Sequence, residues 1–293
     1  MSGPRRVIRR FMGDVANDGL ALVFDFHMLG FKFTAHFFRD IIRELERHFA
    51  DPFMPVYVFS NHDAPRSIHR LGNDPARAKL LHLLQLTVRG VPCMYYGEEI
   101  GMTNGSLPRS TALDPIAHEF RWVPDFLFAR LGITINRDIV RTPMQWDETR
   151  NAGFSAASHT WLPVNPDYPT LNVAAEWSQP DSLLNTIREL LHIRQAEPAL
   201  HSGSLELLEN QPDSILGYLR RWGGDELAVL LNFSAVPVRI APRGGRWNAI
   251  FKLSPADDFY EGETVLSPFS GMILKRETSD LKRTLEKARM RTS

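Results

Sequence analysis

The sequence predicts an α/β region of parallel strands followed by an antiparallel β-sandwich. Short apolar runs alternate with amphipathic helical segments before residue 97, and this order favours parallel strands joined by helical crossovers. From residue 205 onward the pattern changes to short runs of β type separated by Gly, Asn, Asp and Pro, which is typical of an antiparallel sandwich. We therefore expect two domains with a boundary near residues 199–204.

Three apolar runs supply the predicted parallel strands. Residues 20–26 (LALVFDF) are almost wholly apolar, which is the pattern of a strand buried on both faces. Residues 56–59 (VYVF) and residues 91–96 (VPCMYY) are the second and third runs.

Two helical segments separate these runs. Residues 33–49 place apolar side chains three or four positions apart, with charged residues between them. Residues 75–89 follow Asn73 or Asp74, either of which is a suitable N-cap, and they end before Gly90.

The stretch from residue 101 to residue 180 shows little periodicity. It is rich in Pro, Asn, Gly, Trp and Thr, and its aromatic content argues against disorder. A stretch of this length without clear elements is typically an insertion packed over a functional site. Helical periodicity returns at residues 182–194.

The predicted organisation is therefore an α/β domain over residues 1–200 with the irregular insertion at about 101–180, a sandwich over residues 204–276, and a charged tail over residues 277–293. The tail is typical of a solvated helix. The runs of β type in the second domain are residues 205–208, 215–220, 227–233, 236–240, 247–251 and 271–275.

Composition and charge exclude several classes of function. The 34 Lys and Arg residues balance 34 Asp and Glu residues, so the charge does not favour nucleic acid or an acidic membrane as a partner. The single cysteine, Cys93, rules out a disulfide framework and a multi-cysteine metal site. No apolar run approaches the ~20 residues of a membrane span, and the arginine-rich start is not followed by the apolar region of a secretory signal. We therefore expect a cytoplasmic protein.

A polar segment, SNHDAPR at residues 60–66, directly follows the second predicted strand. In a parallel α/β barrel the carboxyl ends of the strands point into the active site. The imidazole of His62 and the carboxylate of Asp63 can both hydrogen-bond sugar hydroxyls there. The alternative is a turn that only caps the next segment, and the spacing alone does not decide between the two.

Further motifs follow in order along the chain. The set is Asn-His-Asp at 61–63, Tyr-Tyr-Gly-Glu-Glu-Ile-Gly-Met at 95–102, Arg-Asp at 137–138, Arg-Thr-Pro-Met-Gln-Trp at 141–146 and Asn-Ala-Gly-Phe-Ser at 151–155. Together they resemble the α-amylase family of glycoside hydrolases, and within it the oligo-1,6-glucosidase, α-glucosidase and trehalose-processing branch. The resemblance extends from about residue 19 to about residue 275.

The resemblance implies a role for each matching residue. Asp63 matches the carboxylate that holds the 2- and 3-hydroxyls of the attacked sugar and stabilises the oxocarbenium-like transition state, and His62 matches the imidazole beside it. Arg137 matches an arginine around the non-reducing glucose, with a structural ion pair to Asp138 as the alternative. Arg141 is expected to position that loop, with a direct sugar contact as the second choice.

Two glutamates, Glu98 and Glu99, follow the last predicted strand. The resemblance implies that they contact the substrate-binding side chains from behind or lie on the acceptor side of the site. Tyr95 and Tyr96 are expected to pack in the barrel, with sugar stacking as the alternative. The histidines show no metal-ligand spacing, so we expect no metal site and no cofactor. The expected partner is an oligosaccharide.

The catalytic pair of the family is missing from the sequence. A retaining glycosidase needs two carboxylates about 5 Å apart, a nucleophile and an acid/base. In the family that this chain resembles, the nucleophile lies in a Gly-Phe-Arg-x-Asp segment at the fourth barrel strand, and no such segment occurs here.

The length agrees with this shortfall, because a full (β/α)8 TIM barrel takes about 250 residues. Roughly 200 residues precede the sandwich, and about 80 of them form the insertion. We therefore expect the C-terminal part of a barrel, about strands six to eight, with a C-terminal antiparallel β-sandwich. Its open sheet edge would be covered by a missing N-terminal half or by self-association.

Two classes of function stay open. In the first, the chain is the C-terminal portion of an α-glucosidase that acts by the retaining mechanism at the non-reducing end of α-linked gluco-oligosaccharides, or of a related glucosyltransferase. In the second, it is an inactive carbohydrate-binding or scaffold protein that uses the loop around Asp63 and Arg137.

Overall fold

Three chain segments form a small parallel sheet. The structure, a computed structural model, describes residues 3–14, 18–124, 127–128, 135–240, 244–260 and 263–277. Strand β1 (Val56–Val58) pairs in parallel with β2 (Val91–Cys93). On the other side of β1, Phe24 forms a single parallel bridge to Val56. The three segments lie side by side in chain order, as parallel strands joined by helical crossovers do.

Residues 20–26 do not form the predicted strand buried on both faces. Every second side chain of this segment is exposed, by 44% to 58%: Leu20, Leu22, Phe24 and Phe26. Val23 and Asp25 lie on the opposite face and are buried. The prediction was wrong because such a strand needs neighbours on both edges and a cover on both faces. Among the described residues, only β1 pairs with this segment.

Helices form at the three segments whose periodicity predicts them, residues 33–49, 75–89 and 182–194, and also at further segments. The bounds are α1 (Gly3–Arg10), α2 (Ala35–His48), α3 (Ser67–Arg70), α4 (Pro75–Thr87), α5 (Pro115–Glu119), α6 (Val173–Ser178), α7 (Leu183–Ala196) and α8 (Pro198–His201). The N-cap of α4 is Asp74, whose carboxylate accepts a hydrogen bond from the backbone N–H of Ala76 at 2.9 Å. Asn73 adopts a left-handed backbone conformation instead, with φ at 58°.

The last part of the chain forms two antiparallel sheets. Their strands are β3 (Ser204–Leu207), β4 (Ile215–Trp222), β5 (Asp225–Asn232), β6 (Val238–Ile240), β7 (Trp247–Lys252), β8 (Asp258–Tyr260), β9 (Glu263–Leu266) and β10 (Gly271–Arg276). Five of them pair in the order β3-β4-β5-β10-β7 and three in the order β6-β9-β8. The sequence pattern does not predict β8 and β9, which are three and four residues long.

One hydrophobic core joins the two regions of the fold. Phe38 of α2, Leu83 of α4 and Ile187 of α7 pack in the same buried cluster as Leu231 of β5. The helices beside the parallel sheet therefore also pack on the five-stranded antiparallel sheet.

A fully buried arginine fastens the end of α4 to this sheet. The guanidinium of Arg220, on β4, donates hydrogen bonds to the backbone oxygens of Thr87 at 2.5 Å, Gly203 at 2.9 Å and Ser204 at 3.1 Å. Burial lowers the pKa of Arg220 to about 10. One side chain thus binds three backbone carbonyl groups, one at the end of α4 and two at the start of β3.

Two further expectations concern the chain as a whole. No helix among the described residues is both long and apolar enough to cross a membrane. The predicted helix in the charged tail, residues 277–293, lies outside the described residues except for Glu277.

We expect Arg220→Met to lower the free energy of unfolding by about 3 kcal/mol, because it removes a fully buried guanidinium that donates to three backbone carbonyl groups while keeping the apolar stem. Arg239→Met removes an exposed arginine that pairs with Glu263 and should change the free energy of unfolding by less than about 0.5 kcal/mol. Urea titrations of both variants check this, and equal effects would contradict the assigned role of Arg220.

Candidate active site

The loop after β1 carries the first group of predicted site residues. The side chain of Asn61 accepts a hydrogen bond from the backbone N–H of Asp63 at 2.9 Å, and this bond shapes the turn. The carboxylate of Asp63 is 46% exposed. Its position at the carboxyl end of a parallel strand is that of a site residue in an α/β fold.

Two arginines bind the same oxygen of this carboxylate. Arg137 Nη1 donates to Asp63 Oδ1 at 3.1 Å, and Arg141 Nη2 donates to the same atom at 2.9 Å. His62 Nε2 lies 3.2 Å from the other oxygen, Oδ2. A carboxylate offers about four acceptor positions, and the side chain is 46% exposed, so it can accept further hydrogen bonds from hydroxyl groups.

Arg141 also contacts the loop itself. Its Nε donates to the backbone oxygen of His62 at 2.9 Å, in addition to its bond to Asp63. These two contacts support the predicted positioning role of Arg141, while its direct contact with sugar stays a prediction.

The structural ion pair that was the alternative for Arg137 is present, but its partner is Asp114 and not Asp138. Arg137 Nε and Nη2 donate to the two carboxylate oxygens of Asp114 at 2.7 and 2.8 Å, in a bidentate pair. Asp138 instead accepts hydrogen bonds from the backbone N–H groups of Leu113 and Asp114, at 2.7 and 3.0 Å. Asp114 therefore binds the segment around residue 137, and Asp138 binds the segment around residue 114.

Burial and hydrogen bonding fix the carboxylate of Asp114 in place beside Arg137. Its side chain is fully buried, and it also caps α5 through the backbone N–H of Ile116 at 3.2 Å. The hydrogen bonds from Arg137 lower the pKa of Asp114 to about 2, and they outweigh burial, which acts in the opposite direction. The same pairing raises the pKa of Arg137.

Glu98 lies behind the loop and joins the ends of the two strands. Its Oε1 accepts hydrogen bonds from the hydroxyls of Ser60 and Ser67, at 2.5 and 2.6 Å, and its Oε2 accepts one from the backbone N–H of Tyr95 at 2.8 Å. The side chain is buried, so its contacts position the strand ends and do not reach the surface.

A second buried arginine connects the loops. Arg66 Nη1 and Nη2 donate to the backbone oxygens of Tyr96 at 2.6 Å and Val140 at 3.1 Å. The Tyr95 hydroxyl donates to Val140 as well, at 3.2 Å, and the Tyr96 hydroxyl donates to the backbone oxygen of Thr142 at 2.7 Å. The segment that carries Arg137 and Arg141 is thus tied to the end of β2.

Sequence reasoning identified neither Arg66 nor Asp114. A signal was present for Asp114, because an Asp before Pro115 is a typical helix N-cap. That its carboxylate would meet Arg137, 23 residues further on, depends on the tertiary fold.

A cavity of about 440 Å³ adjoins Arg141. Its lining includes Tyr96, Glu99, Trp146, Phe154 and Trp161. Burial raises the pKa of the Glu99 carboxyl. Among the described residues there is no cluster of three or more His, Cys, Asp or Glu side chains that could hold a metal ion.

Comparisons with known proteins agree on one family. The model of the alpha-amylase catalytic domain matches residues 14–203. The glucan 1,6-alpha-glucosidase of Streptococcus pneumoniae is 30% identical over 92% of this chain and 54% of its own length. The oligo-1,6-glucosidase of Parageobacillus thermoglucosidasius is 34% identical over 60% of this chain and 33% of its own length.

Solved structures of the same kind cover nearly the whole chain. The isomaltulose synthase SmuA from Protaminobacter rubrum aligns with a TM-score of 0.80 at 27% identity, over 94% of this chain and 54% of its own. The trehalulose synthase MutB from Pseudomonas mesoacidophila aligns with a TM-score of 0.79 at 29% identity, over the same shares. The chain thus spans about half the length of these proteins.

The lowered pKa of Asp114 predicts that its contribution to the stability of the fold is lost in acid. Because its folded-state pKa of about 2 lies below the ordinary value of 3.8, the ionised carboxylate stabilises the fold above about pH 4, and this stabilisation is lost as the pH falls toward about 2. Asp114→Asn should therefore be less stable than wild type at about pH 6, and the difference should shrink in acid.

Urea unfolding of both proteins across this pH range measures the difference. Asp40→Asn, which removes an exposed carboxylate on α2, is the matched control for the loss of one negative charge. A difference between wild type and Asp114→Asn that is the same at neutral and acid pH would contradict the prediction.

Proposed function

Because this chain belongs to the alpha-amylase family of glycoside hydrolases, we propose that it carries the glucose-binding part of an α-glucosidase active site. The substrate would be the non-reducing end of an α-linked gluco-oligosaccharide of the maltose or isomaltose type. The observation that carries the proposal is the convergence of His62, Arg137 and Arg141 on the half-exposed carboxylate of Asp63. The relatives named as glucan 1,6-alpha-glucosidase and oligo-1,6-glucosidase support the substrate class.

The proposed role of Asp63 follows from its open edge. Positive charge develops on the sugar ring in the oxocarbenium-like transition state of glycoside hydrolysis. A carboxylate already fixed in place stabilises that charge more than it stabilises the neutral ground state. With Oδ1 held by Arg137 and Arg141, Oδ2 would receive the hydroxyls of the ring.

The arginines would give the site its preference for a chain end. Arg137 uses three of its five N–H groups on Asp114 and Asp63. Its remaining donors, on a side chain that is 25% exposed, can bind hydroxyls of a terminal glucose.

We propose that the parallel segments are strands six to eight of an eight-stranded barrel and that the two antiparallel sheets form a C-terminal sandwich. The nucleophile and the acid/base of the retaining mechanism would then come from residues outside this chain, whereas self-association could only cover the open sheet edge. The exposed apolar face around Phe24 supports this arrangement, because it is suited to contact with further barrel strands.

Glucosyl transfer within the same family is the second candidate function. The alignment with isomaltulose and trehalulose synthases over 94% of the chain favours it. A binding protein without turnover is the third, and the missing Gly-Phe-Arg-x-Asp segment favours that.

We expect the chain to bind glucose and Asp63→Asn to weaken that binding about thirtyfold, because the substitution removes a charged acceptor of the sugar hydroxyls. Isothermal titration calorimetry measures the affinity. Asp40→Asn, an exposed aspartate on α2, is the control and should bind glucose as wild type does.

Hydrolysis of p-nitrophenyl α-glucoside tests whether the catalytic pair lies outside this chain. The chain alone should not turn this substrate over. Turnover that persists in Asp63→Asn would contradict the assigned role of Asp63, and so would glucose binding that the substitution leaves unchanged.

A further inference from the structure

Two adjacent tyrosines that follow β2 use their hydroxyl groups on the segment that carries the site arginines. The hydroxyl of Tyr95 donates to the backbone oxygen of Val140 at 3.2 Å, and the hydroxyl of Tyr96 donates to that of Thr142 at 2.7 Å. The two acceptors lie on either side of Arg141 in the chain. The hydrogen of each hydroxyl is therefore used within the protein, on the backbone next to one guanidinium.

The rings of the two tyrosines are themselves fixed. Their centroids lie 4.6 Å apart. The guanidinium of Arg66 lies 5.1 Å from the ring centroid of Tyr95 and 4.9 Å from that of Tyr96. A cation within about 6 Å of an aromatic ring is attracted to its face, and Arg66 is fully buried. The two hydroxyls thus project from a rigid support.

The turn after the tyrosines leaves room for Arg66. Gly97 has a left-handed backbone conformation, with φ at 82°. A Cβ at this position would lie 2.4 Å from the sulfur of Met102 and 3.0 Å from Nη1 of Arg66. The same Nη1 donates to the backbone oxygen of Tyr96 at 2.6 Å. The glycine therefore lets the guanidinium approach the tyrosines from behind.

Of the two hydroxyls, that of Tyr96 acts closest to Arg141. The oxygen of Val140 receives a second hydrogen bond, from Nη2 of Arg66 at 3.1 Å, so it keeps a donor without Tyr95. The oxygen of Thr142 receives the shorter of the two tyrosine bonds, and Thr142 directly follows Arg141.

Arg141 connects this segment to the glucose pocket. Its Nε donates to the backbone oxygen of His62 at 2.9 Å, and its Nη2 donates to Asp63 Oδ1 at 2.9 Å. The donors of a guanidinium form a fixed fork, so it can reach both acceptors only from a correctly placed backbone. Loss of the Tyr96 hydroxyl would release the backbone beside Arg141 and weaken both bonds.

We propose that Tyr96 is a positioning residue of the glucose pocket and that it acts through Arg141. The inference rests on the proposed function, because it takes Asp63 as the position of the glucose. It assigns the hydroxyl group, and not the aromatic face, as the part of Tyr96 that affects the affinity for glucose. Packing in the barrel and stacking on a sugar, the two roles expected from the sequence, would use the ring instead.

The substitution Tyr96→Phe tests the proposal, because it keeps the ring and removes the hydroxyl group. We expect the affinity for glucose, measured by isothermal titration calorimetry, to fall about fivefold, since the pocket loses part of its fixed geometry. In an Arg141→Met background the same substitution should cause no further loss, because Tyr96 acts through Arg141. An affinity unchanged in Tyr96→Phe overturns the proposal, and so does a further loss in the Arg141→Met background.

Tyr218→Phe is the matched control. Tyr218 lies on β4, and its buried hydroxyl is 2.6 Å from that of Thr87. The substitution removes a buried hydrogen bond and should lower the free energy of unfolding, but it should leave the affinity for glucose unchanged. If Tyr218→Phe weakens glucose binding as much as Tyr96→Phe does, the effect of Tyr96 is a general loss of stability and the proposal is wrong.

The NMR signal of the Arg141 Nε–H group tests the proposal without sugar. This group donates to the backbone oxygen of His62, and its signal is identified by its loss in Arg141→Met. Tyr96→Phe should shift the signal, whereas Tyr218→Phe should leave it in place. A signal that Tyr96→Phe leaves unchanged overturns the proposal. If the signal depends on Tyr96 but wild type does not bind glucose, the proposed function fails and the support of Arg141 by Tyr96 is upheld.

Discussion

The bidentate pair between Asp114 and Arg137 is the constraint on which the geometry of the site depends. It uses two of the arginine's nitrogens at 2.7 and 2.8 Å and leaves Nη1 to reach Asp63 at 3.1 Å. Because Asp114 is fully buried, the guanidinium has a fixed support. Backbone bonds to Asp138 hold Asp114 in turn, so the two chain segments fix each other.

Two further buried charged residues, Glu98 and Arg66, also join separate chain segments. Glu98 ties the loop after β1 to the end of β2, and Arg66 ties that end to the segment that carries the two site arginines. Buried charged groups therefore join segments that are far apart in the chain, and they leave the edge of Asp63 exposed. Arg141 extends the polar surface toward the cavity lined by Trp146, Phe154 and Trp161. A single framework thus supports both the pocket and the adjoining cavity.

The candidate site residues could be predicted from the sequence, but the residues that support them could not. His62, Asp63, Arg137 and Arg141 could be found because ordered motifs and a position after a buried strand mark them. Asp114 could not be paired with Arg137 in advance, since both residues lie within the aperiodic insertion, where no pattern predicts which segments meet. The helices agree with their periodicity, whereas residues 20–26 do not form the predicted strand, because strand formation depends on neighbours that composition does not reveal.

The central claim is that Asp114 positions the glucose site through Arg137 without touching the sugar. A double-mutant cycle with Asp114→Asn and Arg137→Lys, read out as glucose affinity, measures this most directly. The account predicts that Asp114→Asn weakens binding although its carboxylate is buried, and that the double variant binds no more weakly than Arg137→Lys alone. Additive losses, or an Asp114→Asn protein with wild-type affinity, would contradict it.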